Sequence, residues 1–270
     1  MKEKKDIVVG LGEIGTPILK LLSNSIIVVG YDIDPKLTNQ KKLDELSKLE
    51  TEFLHICIPF NEKFETNVLS YYKKFSPKAI VIHSTISPGT TRKLQKKLPI
   101  AIIYSAIRGV HKRMFEDLKR YTKFFAIEPN APMEKWASTT YSKRLQSCKV
   151  KAKKMSTPEA LELAKIVVDT SYYGWLINYA QISNIIAQKH GVDYDEMWSF
   201  ADDIHKFLGN RPKLFPGFIG GHCVIPNLSL INEESLWQID KINNLYAQKV
   251  KSAKSIAKKY TKGKESYDTK

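Results

Sequence analysis

The sequence predicts an α/β domain built on a doubly wound parallel sheet, followed by an α-helical region. Short, nearly continuous apolar segments alternate with amphipathic helix patterns in the first half of the chain, whereas helix patterns dominate after Ser156. Strands that are apolar along their whole length are typical of a parallel sheet covered by helices on both faces. The predicted organisation is an α/β domain over 1–155, a helical domain over 156–262 and a polar tail over 263–270.

The elements of the first domain follow one another in a β-α-β order. Strands are predicted at 6–9, 25–32, 53–58, 79–83 and 100–104, and helices at 14–22, 36–49, 62–74 and 91–97. In the less regular stretch that follows, the segments 124–127 and 147–152 are interpreted as further strands.

The helical region begins with a clear start signal. Ser156-Thr-Pro-Glu159 has the hydroxyl, proline and acidic residue that favour a helix N-terminus. Apolar side chains then recur at helical spacing through the next 33 residues, with only Gly174 as a breaker. The pattern predicts one long connecting helix, then helices at about 193–208 and 232–260 separated by a glycine-rich loop at 209–223.

Composition restricts the possible classes of protein. The 270 residues are 43% apolar and 26% charged, and no segment approaches the roughly 20 apolar residues that span a bilayer. We therefore expect a cytoplasmic protein with no membrane partner. The three cysteines, Cys57, Cys148 and Cys223, have the spacing of neither a disulfide framework nor a zinc site, and no metal is expected. The net charge of +15 comes mainly from dispersed lysines, which favours a solvated surface over a nucleic-acid site.

A glycine-rich turn lies between the first strand and the first helix. In Gly10-Leu-Gly12-Glu-Ile-Gly15, Gly10 permits a tight turn, Gly12 allows close approach of a pyrophosphate, and Gly15 allows the helix to pack on the strand. Glu13 and Ile14 complete this predicted cofactor loop. Asp32 ends the second strand, where a carboxylate accepts hydrogen bonds from the adenosine ribose and repels the extra phosphate of NADP. The pattern predicts a Rossmann domain that binds NAD.

Three more candidate cofactor contacts stand at predicted strand ends. Pro59, Ser84 and Thr85 follow strands whose carboxyl ends meet where an open parallel sheet binds its ligand. The alternative for Ser84 and Thr85 is ordinary capping of a strand end.

Several separated motifs together resemble one known family. Gly10-Leu-Gly-Glu-Ile-Gly-Thr-Pro17, Ser84-Thr-Ile-Ser-Pro-Gly-Thr-Thr91, Glu162-Leu-Ala-Lys165 and Gly217-Phe-Ile-Gly-Gly-His-Cys-Val-Ile-Pro226 occur in this order. They resemble the UDP-glucose/GDP-mannose dehydrogenase family, especially its N-acetylmannosamine-type members, over almost the whole chain. The resemblance implies an NAD-dependent oxidation of a sugar-nucleotide primary alcohol to a carboxylate. It also implies a homodimer formed through the helical domain.

The resemblance assigns roles to residues of the second half. Cys223 falls on the cysteine that forms a thiohemiacetal and then a thioester, and Lys165 falls on a lysine that stabilises an alkoxide or oxyanion. Arg108 and Arg211 are candidate substrate contacts, as are Gly220 and Gly221 of the glycine loop. The alternatives are that Cys223 is a small packed residue and that Lys165 is a solvated helix lysine.

The sequence also departs from the family pattern. Ile107 stands where many members have a glutamate implicated in water activation. Asp169 and Asn227 stand where the family has asparagine and aspartate respectively, so the pair looks exchanged, and a carboxylate near Lys165 could act as the base. The chain ends where the family continues into a third, nucleotide-binding domain, and we expect a short form.

Other functions remain open. A two-electron β-hydroxyacid or polyol dehydrogenase would use Lys165 as its acid and base and would contain Cys223 only as a packed residue. A non-catalytic NAD-binding partner protein would explain Ile107 and the absent third domain. Stoichiometry separates the two enzymes, since the first produces two NADH per substrate and the second produces one.

Overall fold

A computed structural model describes residues 3–208, 216–220, 224–231 and 234–249. The chain divides into two compact units, residues 1–165 and 166–270. This division falls within the predicted long helix, and the predicted domain boundary after residue 155 stays a prediction.

Unit 1 contains seven strands and seven α-helices in its described part. The strands are β1 (Lys4–Val9), β2 (Val28–Tyr31), β3 (Glu50–Ile56), β4 (Ala79–Ile82), β5 (Ala101–Tyr104), β6 (Lys123–Ile127) and β7 (Ala152–Lys154). The helices are α1 (Gly15–Ser23), α2 (Gln40–Glu45), α3 (Phe64–Phe75), α4 (Thr90–Gln95), α5 (Met114–Arg120), α6 (Glu134–Ser147) and α7 (Pro158–Leu163). A 3₁₀ turn, His111–Arg113, precedes α5.

The strands form one sheet in the order β2-β1-β3-β4-β5-β6-β7. The first five strands pair in parallel, as the sequence predicts, whereas β6 pairs antiparallel to β5 and β7 pairs parallel to β6. The order of the strands reverses direction between β1 and β3. Because open parallel sheets bind their ligands at such a point, the expected ligand site is the crevice beyond the carboxyl ends of these two strands.

Two apolar cores cover the two faces of the sheet. Alternate residues along each strand point to opposite sides, so Val8 and Phe53 belong to one core while Ile7 and Leu54 belong to the other. Helices α1, α5 and α6 contribute to the first core, and α3, α4 and α7 to the second. The predicted doubly wound Rossmann architecture is therefore confirmed.

The prediction of a strand over 147–152 is wrong. Ser147 ends α6, and only Ala152–Lys154 forms the short strand β7. Helix α6 buries a narrow stripe of Ala137, Tyr141 and Leu145, and its remaining surface is largely polar. Because this stripe is thin and is interrupted by hydroxyl residues, the apolar pattern alone did not indicate a helix.

Unit 2 is α-helical in its described part. Its elements are a π-helical segment (Ala164–Ser171) that begins at the end of unit 1, α8 (Tyr172–His190), α9 (Tyr194–Ser199), α10 (Asp202–Leu208), α11 (Ile225–Leu228) and α12 (Glu234–Lys249). The predicted long helix is confirmed as an uninterrupted helical run from Pro158 to His190, while the predicted helix at 193–208 is divided into α9 and α10.

Amide side chains hold α8 against the rest of unit 2. Asn178 donates to the carbonyl oxygen of Ile239 at 3.2 Å, and Gln181 donates to the carbonyl oxygen of Gly217 at 2.7 Å. Asn243 of α12 both accepts from and donates to the backbone of Ile219. These buried bonds fix Gly217 and Ile219, which belong to the predicted glycine-rich loop. Among the described residues, no helix combines the length and the apolar character needed to cross a membrane.

Candidate active site

The glycine turn lies at the carboxyl end of β1, in the expected crevice. Gly10 has a φ of +87°, and a Cβ there would lie 2.8 Å from the carbonyl oxygen of Cys57. A Cβ on Gly15 would lie 1.7 Å from the carbonyl oxygen of Gly10, so the first turn of α1 packs directly on the loop. A Cβ on Gly12 would meet nothing within 4 Å. The loop is thus closed on its protein side and open at Gly12.

Asp32 is tied to the glycine turn. Its carboxylate accepts from the backbone N–H of Leu11 at 2.6 Å and from that of Asp34 at 2.9 Å. The backbone N–H of Asp32 donates to the hydroxyl of Thr38 at 2.8 Å. The sequence predicts a role for Asp32 in binding ribose, and the structure adds a second role, which is to join the end of β2 to the loop after β1.

The ends of β3 and β4 are joined in a similar way. The hydroxyl of Ser84 donates to the carbonyl oxygen of Ile58 at 2.5 Å, and Ser84 is buried. Pro59 is exposed and Thr85 is half-buried. The Ser84 bond agrees with the capping alternative, because it commits the hydroxyl proton to the protein. Cofactor contacts at these three residues stay predictions.

Glu162 joins two of the sequence motifs. Its side chain is fully buried and accepts from the N–H of Gly89 at 2.6 Å, the N–H of Thr91 at 3.0 Å and the hydroxyl of Thr91 at 2.6 Å. Burial raises the pKa of this carboxyl, and the hydrogen bonds from Thr91 and Gly89 partly oppose that effect. The motif containing Ser84 and Thr85 is thereby attached to the helix that leads to Lys165.

Lys165 is half-buried and lies in the π-helical segment. Single turns of π-helix occur often at functional sites, because the extra residue redirects the side chains that follow. Asp169 is half-buried in the same segment. Catalytic roles for Lys165 and Asp169 stay predictions.

Lys123 is a residue of this region that the sequence analysis did not identify. Its ammonium group is buried and donates to the carbonyl oxygens of Ser105 at 2.7 Å and Ala106 at 2.9 Å, at the carboxyl end of β5. Burial lowers the pKa of Lys123 to about 7, and the cations Lys165 and Arg108 lower it further. A lysine directly before the apolar run Phe124–Ile127 is the signal that could have identified it.

Arg108 lies near Lys123, in the segment that follows β5. Its guanidinium donates to the carbonyl oxygen of Thr122 at 2.7 Å and lies 5.0 Å from the centre of the Phe124 ring. Ile107 packs in the core with 5% of its surface exposed. Arg108 and Lys165 therefore both lie close enough to Lys123 to lower its pKa.

The predicted residues of the second half are only partly described. Asn227 is half-buried in α11, and Gly220 is exposed. Arg211, Gly221 and Cys223 lie outside the described residues. The structure therefore tests neither the predicted nucleophile nor its surroundings.

The remaining cysteines are not suited to nucleophilic chemistry. Burial raises the pKa of the Cys57 thiol to about 12, and burial also raises the pKa of Cys148. Among the residues that the structure describes, no cluster of histidine, cysteine and acidic side chains is arranged to hold a metal ion.

The chain shares its fold with several solved dehydrogenases. No protein-family model matches the sequence, and no curated protein matches it either. Among solved structures, UDP-D-ManNAc dehydrogenase from Pyrococcus horikoshii superimposes with a TM-score of 0.73 at 19% identity, covering 90% of this chain and 69% of that one. UDP-glucose dehydrogenase from Pyrobaculum islandicum gives 0.67 at 15% identity, with 91% and 68% covered.

A smaller enzyme matches along nearly its whole length. The 3-hydroxyisobutyrate dehydrogenase of Mycobacterium tuberculosis gives a TM-score of 0.64 at 14% identity, covering 94% of this chain and 97% of that one. At such identities these similarities establish the fold, and the choice of substrate depends on the residues of the site.

Proposed function

We propose that this protein is an NAD-dependent dehydrogenase that oxidises the primary alcohol of an anionic substrate, of the sugar-nucleotide class, to a carboxylate. The observation that carries the proposal is the position of the glycine turn, at the point where the strand order reverses between β1 and β3. The turn is joined to Asp32 by the hydrogen bond from the backbone N–H of Leu11. The same unit contains Lys165 and the neighbouring cations Arg108 and Lys123.

The loop fits a dinucleotide. Open space at Gly12 leaves the backbone accessible to a pyrophosphate, and the N-terminal end of α1 provides amides and a positive dipole for its charge. The position of Asp32 favours NAD over NADP, because its carboxylate would repel a phosphate on the adenosine ribose. When bound, NAD⁺ supplies the nicotinamide ring that accepts the electrons of the oxidised alcohol.

Lys165 stabilises negative charge on the reacting oxygen. An ammonium group near an alkoxide or a tetrahedral oxyanion acts most strongly where water is excluded. Asp169, four residues later in the same segment, serves as the base. Asn227 provides the amide that the family has one turn after the lysine, so that the two side chains exchange places. Arg108 and Arg211, with Gly220 and Gly221, bind the anionic part of the substrate.

Cys223 carries the second half of the oxidation. Its thiol adds to the aldehyde carbon to give a thiohemiacetal, and loss of a hydride from that carbon to a second NAD⁺ leaves a thioester. Water then attacks the thioester carbon and displaces the thiol, which regains its proton. Position 107 is an isoleucine packed in the core and provides no carboxylate to activate this water. Our candidate for this role is Asp169.

A second candidate function is a two-electron β-hydroxyacid dehydrogenase. Near-complete mutual coverage with 3-hydroxyisobutyrate dehydrogenase favours it, as does the apolar environment of Ile107. In this case Lys165 transfers the proton of the hydroxyl group and Cys223 is a packed residue.

We further propose that the protein is a cytoplasmic homodimer. Large apolar side chains on α8 are exposed in the single chain, including Tyr172 at 57%, Tyr179 at 63% and Ile186 at 50%. A second copy that covers this face would bury them. Nucleic acid is not part of the proposal.

Formation of NADH from a panel of UDP- and GDP-sugars tests the function. Wild-type protein is compared with Cys223→Ser, and 3-hydroxyisobutyrate is included as a substrate. Two NADH per sugar nucleotide, reduced to one or none by Cys223→Ser, supports the four-electron route. One NADH from the hydroxyacid, unaffected by Cys223→Ser, supports the second candidate. Failure of every substrate to produce NADH would contradict both.

A further inference from the structure

A row of buried polar side chains crosses one face of the sheet in unit 1. It consists of Asp6 on β1, His55 on β3, His83 after β4, Ser105 after β5 and Lys123 on β6. Their exposed fractions range from 0% to 6%. The residues two positions away on the same strands, such as Phe53 and Val81, belong to the apolar core. A polar row in such a place is costly unless every donor and acceptor has a partner.

The members of the row are connected by short contacts. His55 Nε2 lies 3.3 Å from Asp6 Oδ2, and His55 Nδ1 lies 2.9 Å from His83 Nε2. His83 Nδ1 lies 3.1 Å from the carbonyl oxygen of Ser105. Lys123 Nζ donates to that same carbonyl oxygen. The row is therefore continuous from β1 to β6.

Counting donors and acceptors fixes the protons of the two rings. A carbonyl oxygen only accepts, so His83 Nδ1 carries a hydrogen. An ionised Asp6 also only accepts, and it already accepts from the N–H of Phe53 at 3.2 Å and forms an ion pair with Arg144. His55 Nε2 therefore carries a hydrogen as well. The remaining contact, between His55 Nδ1 and His83 Nε2, needs one hydrogen more. The two rings together hold three ring protons.

The third proton belongs on His55. Burial lowers the pKa of His83 well below its ordinary value, and the cation Lys123 lowers it further. His55 lies 3.3 Å from the carboxylate of Asp6, which can serve as the counterion of a doubly protonated ring. If the proton left, two acceptors would face each other inside the core, either at the contact with Asp6 or at the contact with His83.

We infer that His55 is a buried imidazolium paired with Asp6, and that through His83 and Ser105 it positions the backbone segment that carries Arg108. The ring Nδ1–H of His83 and the Nζ of Lys123 both donate to the carbonyl oxygen of Ser105, three residues before Arg108. The hydroxyl of Ser105 also accepts from Tyr141 and donates to the carbonyl oxygen of Phe124. The start of the segment is thus hydrogen-bonded to the end of β4, to β6 and to α6.

Other charged and titratable groups surround the row. Arg144 of α6 pairs with both Asp6 and Glu52, and Glu52 also pairs with Lys4. Cys57, Arg108 and Lys165 influence Lys123 at the opposite end of the row. His55 and His83 are positioning residues, and the consequence for substrate binding at Arg108 rests on the proposed function. The proton count does not depend on that function.

Nitrogen-15 NMR of the histidine rings tests the proton count directly. The full chain is labelled at histidine and measured at about pH 8, well above the ordinary histidine pKa of about 6.5. We expect one ring with both nitrogens protonated, which disappears in His55→Gln and persists in His190→Gln, a control at an exposed site on α8. Neutral rings at every histidine, or an imidazolium that survives in folded His55→Gln, would overturn the inference.

A measurement on the wild-type protein covers the case in which His55→Gln does not fold. A nitrogen–nitrogen coupling across the hydrogen bond between two histidine rings is expected, and its absence would overturn the inference. With a substrate identified by NADH formation, His55→Gln should raise KM about tenfold, equivalent to about 1.4 kcal/mol of lost binding, and change kcat less. An unchanged KM would refute the positioning role. An imidazolium without any turnover would contradict the proposed function alone.

Discussion

Replacing each of two glycines by alanine separates the folding role of the glycine turn from its binding role. A Cβ at Gly15 would lie 1.7 Å from the carbonyl oxygen of Gly10. The backbone would have to move to remove this steric clash. A Cβ at Gly12 would meet no atom within 4 Å. The two substitutions add the same methyl group three residues apart, so each serves as the control for the other.

The expected magnitudes differ in kind. Gly15→Ala should lower the free energy of unfolding by about 2 kcal/mol, within the usual range for overpacking. Gly12→Ala should change it by no more than about 0.5 kcal/mol, as at other unhindered surface sites. Gly12→Ala should instead weaken NAD⁺ binding, because the methyl group keeps a charged pyrophosphate from the backbone. Loss of one hydrogen bond to a charged group costs about 1.5–3 kcal/mol, which raises Kd roughly 10- to 150-fold.

Isothermal titration with NAD⁺ and urea unfolding of the ligand-free protein measure the two quantities on the same samples. Gly12→Ala that binds NAD⁺ within about twofold of wild type would refute the assignment of the loop. The steric argument would be wrong if the two variants lost equal amounts of stability.

Three further predictions concern buried ionisable groups. Glu162→Gln should lower the free energy of unfolding in urea by about 3 kcal/mol, because an amide replaces one of the oxygens that accept from Gly89 and Thr91. A loss below about 1 kcal/mol would contradict the importance of these hydrogen bonds. Lys123 has a pKa of about 7 in the folded protein, against an ordinary value of 10.5. Between these two pH values the unfolded chain binds more protons than the folded protein. The free energy of unfolding should therefore rise with pH in this range, by at most roughly 5 kcal/mol. Lys123→Met should remove most of that rise, and an unaltered pH profile of unfolding would refute it. With a pKa of about 12, Cys57 should resist iodoacetamide in the folded protein at about pH 8 and react once the chain is unfolded. Peptide mapping measures both rates, and equal rates would contradict the raised pKa.

The sequence predicts the first five strands because each is a nearly continuous apolar segment bounded by turns. It also predicts the glycine loop, since Gly10 has the positive φ and Gly15 the tight packing that the pattern requires. Strand direction is not encoded in such patterns, so the antiparallel pairing of β6 could not be predicted. Helix α6 was missed because its buried stripe is thin.

The buried polar groups were harder to predict for a different reason. His55 and His83 occur in strand patterns that also fit ordinary core residues, and their partner Asp6 precedes the apolar part of β1. Only the pairing of strands brings these three side chains into contact. Lys123 belongs to the same class, since its two carbonyl partners come from the end of β5. Long-range contacts of this kind follow from the register of the sheet and have no local sequence signal.

Binding of NAD⁺ and NADP⁺ to the purified full chain tests whether the glycine turn and Asp32 form an NAD site. We expect isothermal titration to show one NAD⁺ site per chain. The affinity for NADP⁺ should be weaker by at least about tenfold, or about 1.4 kcal/mol, because of the charge of Asp32. A protein that binds neither nucleotide, or that binds NADP⁺ as tightly as NAD⁺, would contradict this prediction.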